Sequence, residues 1–238
     1  MPLRLLCLHG WGTNQKILQS QLSMQSPALV ERHQTLIKQV GSCMSSNAII
    51  PRPSLSSKVT SIQPRAPESP VIMTVRTTAT TVSHAPFSHE DMDESDILEA
   101  YEQLSETVAL EGPFDGVLGF SHGGTLAAGF MIHHAKMNPN EPALFRCAIF
   151  INSLPPFRME LGQRPVVEEG LEGFISIPCV HIAGAKDPLF EYSMALYRLC
   201  SARYSTFAVH GKGHDVPSDR KNVAIIATAI RKLSSQIL

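Results

Sequence analysis

Gly116-Val117-Leu118-Gly119-Phe120-Ser121-His122-Gly123-Gly124-Thr125-Leu126-Ala127-Ala128-Gly129-Phe130 is an apolar run that stops at a serine between glycines and resumes as a helix-forming stretch. Read as strand, tight turn and helix, it holds a serine out of the main chain at the end of a strand. The flanking glycines answer a steric demand, because the turn crowds the backbone and forces the serine into a costly conformation that bulky neighbours would worsen. A bare Gly-x-Ser-x-Gly pattern is weak by itself. At average usage of about 7% for each residue type it arises by chance in roughly one chain in ten of this length. Its strength here comes from the strand before it, the helix after it and the residues that follow downstream.

Working outward, the chain alternates between strand and helix. Residues 3 to 8 read as a buried strand ending in His9-Gly10-Trp11-Gly12-Thr13-Asn14, before a polar helix over residues 16 to 22. Ile97, Tyr101, Leu104 and Val108 recur at helical spacing, with Asp93 or Ser95 as cap and Gly112-Pro113 as stop. Beyond the elbow helix, which is expected to end at His133-His134, residues 147 to 152 and 179 to 183 read as strands. A Pro- and Glu-rich connection over residues 153 to 178 joins them. Tyr192, Leu196 and Leu199 mark another helix, residues 206 to 210 a last strand, and Val223, Ile226, Ala227, Ile230 and Leu233 a closing amphipathic helix. Such alternation predicts an α/β fold, a mostly parallel central sheet with helices on both faces, in one domain spanning residues 1 to 238.

Residues 23 to 88 do not follow the pattern. Residues 42 to 70 hold five prolines and eight serines, and residues 23 to 86 contain no Trp, Tyr or Phe, a composition of loop or disorder. Residues 71 to 75 can supply one strand, yet so long a connection is unusual inside a compact domain.

Composition excludes several functions. The 238 residues are 43% hydrophobic and 17% charged with net charge −1, and no basic cluster is interleaved with aromatics, which argues against a nucleic-acid partner. The first apolar run is interrupted by Arg4 and stops at His9, too short for a signal-peptide core or membrane span, so a cytoplasmic location is expected. Cys7, Cys43, Cys147, Cys179 and Cys200 are widely spaced and odd in number, and read as free thiols. With no C-x-x-C and no H-x-x-x-H on a helix, neither a metal nor another cofactor is expected.

A serine hydroxyl is a poor nucleophile near neutral pH and needs an imidazole to take its proton and a carboxylate to orient that imidazole. Asp187 follows the strand over residues 179 to 183, and His214 follows the last strand between Gly213 and Asp215. Ser121, Asp187 and His214 are therefore the candidate catalytic residues, with Glu191 and Asp215 as alternative acids. Their order, Ser then Asp then His, is that of α/β-hydrolases. Asp187 before Pro188 also suits a plain turn, and His214 a solvated loop. An oxyanion needs two preplaced N–H donors. The backbone N–H of His122 supplies one and that of Trp11 the other.

With Leu6-Cys7-Leu8-His9-Gly10-Trp11-Gly12-Thr13-Asn14, Gly119-Phe120-Ser121-His122-Gly123-Gly124, Gly184-Ala185-Lys186-Asp187 and Gly213-His214-Asp215-Val216-Pro217, the chain resembles the FSH family of serine hydrolases. The resemblance covers residues 1 to about 22 and about 95 to 238. It implies an α/β-hydrolase fold and a carboxylesterase or thioesterase with a small-molecule ester or acyl thioester as substrate. Because several members release polyketide chains, it also implies secondary metabolism and an acyl-carrier domain of a synthase as partner. Hydrolysis of free short-chain esters or lactones and a non-catalytic binding role are the competing readings. His122 stands where the family usually has Gln, and residues 23 to 88 lack the family's strand and aromatic sequence. That stretch is either a divergent lid or wrongly predicted gene sequence. A tryptic map of the native protein containing peptides from residues 42 to 76 removes the second alternative.

Overall fold

The structure is a computed structural model and describes residues 3–10, 15–23, 37–40, 73–80, 94–158, 166–167 and 170–237. Seven strands form one parallel sheet: β1 (Leu3–Leu8), β2 (Ile37–Val40), β3 (Met73–Thr80), β4 (Gly116–Phe120), β5 (Cys147–Ile151), β8 (Cys179–Gly184) and β9 (Ser205–His210), in spatial order β2-β3-β1-β4-β5-β8-β9. Two short strands, β6 (Phe157–Arg158) and β7 (Val166–Val167), pair antiparallel within the connection after β5. The helices are α1 (Gln15–Ser23), α2 (Glu94–Glu111), α3 (His122–Met137), α4 (Phe190–Leu199) and α5 (Arg220–Ile237).

Alternation along the strands creates two cores. Leu5 and Cys7 of β1, Leu118 and Phe120 of β4 and Ile149 and Ile151 of β5 face Leu18 of α1 and Ile226, Ile230 and Leu233 of α5. Leu6, Leu8, Val117, Ala148 and Phe150 face the other way, onto Leu104 of α2, Ala127, Ala128 and Phe130 of α3, and Leu196 and Leu199 of α4. A strand apolar on both sides belongs in the middle of a parallel sheet, which is why β1, β4 and β5 occupy its centre. At their amino ends, Arg4 N–H donates to the Asp115 carboxylate at 2.8 Å, and Asp115 also meets Arg146 at 3.3 Å.

The two strands on one flank depart from the reading of residues 23 to 88 as loop. Met73–Thr80 overlaps the strand expected at residues 71 to 75 but runs later, pairing Leu3 with Met73 and Leu8 with Thr78. Ile37–Val40 was not expected at all, and it pairs with Thr77 to Thr80. Their sequences, MTVRTTAT and IKQV, are β-branched but polar, so they lack the apolar signal of the central strands. Residues 42 to 70 lie outside the described residues. A second correction concerns α3, which continues beyond His133-His134 to Met137. His134 lies in its last turn, 3.7 Å from Glu141, and His133 packs on the ring of Tyr101.

After β3 the chain crosses to the other side of β1 to lay down β4, and the sheet then grows away from β1 on that side. The carboxyl ends of β1 and β4 thus flank the point where the strand order reverses, the place where open α/β sheets bind their ligands. Gly119 lies at this point. A Cβ there would sit 2.3 Å from Gly124 Cα and 2.5 Å from Gly124 N, backbone atoms that cannot step aside. Gly119→Ala should therefore cost at least about 3 kcal/mol, the upper end for overpacking. Urea unfolding of the variant beside wild type measures it.

Candidate active site

Ser121 follows β4 and stands at the N-cap position of α3 with φ 53° and ψ −124°. A non-glycine residue pays for such a conformation and keeps it only when its surroundings allow no other. Those surroundings are specific. Ser121 N–H donates to the Ile151 carbonyl at 2.9 Å, while the Ser121 carbonyl accepts from the N–H groups of Gly124 and Thr125 at 2.9 and 3.2 Å. Gly123 lets the start of α3 lie against β1, since a Cβ there would meet the Leu8 and His9 carbonyl oxygens at 2.4 and 2.5 Å. Ser153 Oγ, 3.1 Å from the carbonyl oxygens of Gly119 and Ile151, closes the turn from the β5 side.

Two hydrogen bonds in series lead away from the serine. His214 Nε2 lies 2.8 Å from Ser121 Oγ, and His214 Nδ1 lies 2.7 Å from Asp187 Oδ2. The tautomer with its proton on Nδ1 satisfies both, donating to the carboxylate and accepting from the hydroxyl. Asp187 is fully buried at its side chain, and its second oxygen, Oδ1, accepts the Leu189 N–H at 2.8 Å. A buried carboxylate with both oxygens engaged has its desolvation compensated and its rotamer held. The His214 side chain retains 29% exposure and packs its ring 5.6 Å from Phe120.

The three predicted residues thus converge from the ends of β4, β8 and β9. The alternative acids do not join them: Glu191 is an exposed residue in the first turn of α4, and Asp215 is exposed, with its carbonyl engaged by Asn152. Of the two predicted oxyanion donors, His122 is the first residue of α3, where backbone N–H groups have no carbonyl one turn earlier to bond. Trp11 lies outside the described residues. The loop after β1 nevertheless reaches the site at Gly10, where a Cβ would meet the Phe120 ring at 2.9 Å and Ser121 Cβ at 3.1 Å.

Asn152 reads in the sequence only as the last residue of the strand over residues 147 to 152, but β5 stops at Ile151 and Asn152 follows it. It is fully buried, has φ 47°, and its side chain touches the loops of both Asp187 and His214.

Metal-ligating side chains do meet elsewhere. Cys179, His181 and Cys200, all buried, bring their ligand atoms within 4.8 Å of one another. Cys179 opens β8, whereas Asp187 lies beyond its other end. Hydrogen bonding to Cys200 and burial hold the Cys179 thiol well above its ordinary value, against the opposing pull of His181. The His181 ring lies among those of Phe150, Tyr197 and Phe207, at centroid distances of 5.0, 5.3 and 6.4 Å. Among the described residues, no helix is long and apolar enough to cross a membrane.

A strained serine at a strand-to-helix elbow, with an imidazole and a buried carboxylate in line behind it on a parallel sheet, defines an α/β-hydrolase of the serine esterase class. The solved structures agree on the fold. A carboxylesterase from Bacillus cereus aligns with TM-score 0.56 and 14% identity over 98% of this chain and 89% of its own. One from Mesorhizobium loti aligns with TM-score 0.53 and 16% identity over 96% and 88%. Residues 1–226 match the family described as serine hydrolase (FSH1), and the chain belongs to that family. Among its relatives, hydrolase phiM of Talaromyces stipitatus is 37% identical across 98% of this chain and 89% of its own length. Esterase FPY3 of Fusarium mangiferae is 33% identical across 90% and 88%.

Burial pushes the imidazole of His122 below its ordinary value of 6.5, and the neighbouring His9 adds to the shift. His210, with no exposed surface, is lowered by burial too, against the opposing pull of Asp215, Asp187 and Asp219. Both rings give up their proton more readily in the folded protein than in the unfolded chain, which titrates near 6.5. Below that pH the unfolded state binds more protons, so stability is full above about 6.5 and falls as the pH is lowered. The thermal midpoint should drop between about pH 7.5 and 5.5, and drop less in His122→Gln, as read by calorimetry at a series of pH values.

Proposed function

We propose that this protein cleaves a carboxylic ester or thioester through an acyl-enzyme on Ser121. The observation that carries the reading is the unbroken line Ser121 Oγ, His214, Asp187, joined at 2.8 and 2.7 Å behind a serine at φ 53°. In the first half-reaction Ser121 Oγ attacks the acyl carbonyl as His214 Nε2 takes its proton, and Asp187 stabilises the imidazolium that forms. His214 then protonates the departing alcohol or thiol. The tetrahedral oxyanion is held by the N–H of His122 and, from the loop that touches Ser121 at Gly10, by that of Trp11. Water activated by the same imidazole frees the acid and restores the serine. Every step is proton transfer and acyl transfer, and side chains and backbone of this chain supply the groups it needs.

The substrate is an acyl chain of secondary metabolism, delivered as a thioester on an acyl-carrier domain or as a small-molecule ester. Family membership and the esterase relatives support this class. Carrier dependence discriminates the two forms. Hydrolysis of an acyl group on an isolated carrier domain, faster than that of the same acyl group on a simple alcohol, marks the thioesterase; the reverse preference marks an enzyme for free esters or lactones.

Ser121→Ala should lower kcat on a p-nitrophenyl ester by at least about a thousandfold and abolish labelling by a fluorophosphonate. Asp187→Asn, which leaves His214 in the wrong tautomer, should lower kcat by a factor on the order of 10³ to 10⁴. Ser121→Ala retaining most of its turnover would overturn the proposal.

A further inference from the structure

Asn152 stands directly after β5, the strand between β4 and β8, so it sits between the ends that carry Ser121 and Asp187. It has no exposed surface. Its Oδ1 accepts the N–H of Gly184 at 2.9 Å, where β8 ends and the turn to Asp187 begins. Its Nδ2 donates to the Asp215 carbonyl at 2.9 Å, one residue beyond His214. The main chain adds two further ties: Asn152 N–H donates to the Ile182 carbonyl at 2.8 Å, and the preceding carbonyl, that of Ile151, accepts the Ser121 N–H at 2.9 Å. One residue therefore joins the loop of the acid to the loop of the base, and its neighbour holds the nucleophile.

The chemistry of the side chain is specific to this task. One loop offers an N–H and the other a C=O, so the bridging group must accept on one side and donate on the other at the reach of a single methylene. A primary amide does this; a carboxylate has no donor, and a hydroxyl is one atom short of both contacts. The residue is also held at φ 47°, a region that asparagine tolerates better than most side chains but that glycine alone enters freely. That combination separates two reasons for its presence. A residue chosen for backbone conformation would be replaced by glycine at no loss.

We propose that Asn152 is a positioning residue, whose amide fixes the separation of the Asp187 and His214 loops and so holds the imidazole in line with Ser121. It touches neither the nucleophile nor the acyl group, and acts through the two loops. The proposal rests on the triad assignment of the preceding subsection.

The experiment compares wild type, Asn152→Gly, Asn152→Ala and Ser121→Ala on a short-chain p-nitrophenyl ester, with kcat expressed per folded molecule after circular dichroism and gel filtration. Asn152→Gly relieves the backbone and removes both side-chain bonds, so kcat should fall about 10- to 100-fold, the loss that a displacement of about 1 Å produces. KM should stay within about threefold of wild type, because a side chain with no exposed surface reaches no substrate. Asn152→Ala should lose at least as much and also be less stable. Where glycine lowers the folded yield, Asn152→Asp keeps length and acceptor but sets a carboxyl oxygen against the Asp215 carbonyl in place of the donor, and it too should lose at least about tenfold in kcat. An Asn152→Gly or Asn152→Asp enzyme within twofold of wild-type kcat, or a loss confined to KM, overturns the proposal while an inactive Ser121→Ala leaves the triad standing. An active Ser121→Ala overturns both.

Discussion

A serine at φ 53° is a conformation the chain abandons unless everything around it forbids the alternatives, and the rest of this structure is arranged to forbid them. β4 delivers the residue from one side and α3 carries the chain away on the other. Between them Gly119 and Gly124 touch backbone to backbone, so the elbow cannot open without separating strand from helix. β5 supplies the carbonyl that takes the serine N–H, and β1 supplies the surface against which Gly123 rests. The apolar faces of these three central strands supply the binding energy that holds the turn, at about 25 cal/mol for each Å² of apolar surface removed from water. The strain therefore lives at the one point where two cores and four elements meet, and a local change there is felt on both faces of the sheet.

Much of this was legible in the primary structure because the central strands are doubly buried. Leu-Leu-Cys-Leu in β1, Gly-Val-Leu-Gly-Phe in β4 and Cys-Ala-Ile-Phe-Ile in β5 are continuous apolar runs that nothing but a buried strand explains. Ser121 could be found because it stands directly after such a run, and Asp187 and His214 because they lie just beyond β8 and β9, at the edge where an α/β sheet presents its functional groups. β2 was hidden, and β3 marked only in part by the strand read at residues 71 to 75, for the converse reason: both are polar, β-branched and set among prolines and serines, so pattern alone barely lifts them above the surrounding loop. The extra turn of α3 past His133-His134 escaped because two adjacent histidines resemble a helix end, yet one packs on Tyr101 and the other faces Glu141.

Asn152 and the cluster of Cys179, His181 and Cys200 illustrate a deeper limit. Each gains its meaning from contacts between residues distant in the chain, and a single asparagine or cysteine carries no spacing to betray them. Long-range polar pairing is a property of the folded state alone. In the same way, the proximity of Gly10 to Ser121 could be inferred from the fold class but measured only once β1 and β4 lay side by side.

The position of β1 also sets the order in which the molecule can come into being. It leaves the ribosome before either neighbour and ends up between β3 and β4, with Leu3 opposite Met73 and Leu5 opposite Gly116. Neither neighbour exists when it emerges. A strand apolar on both faces must wait, unpaired, through the synthesis of two long intervening segments, and parallel pairing across such separations is slow even when both partners are present. During that interval its leucines are a natural target for a holding chaperone, and the elbow cannot close, because the wall that Gly123 rests on is β1 itself. Catalytic competence is thus among the last properties the nascent chain acquires.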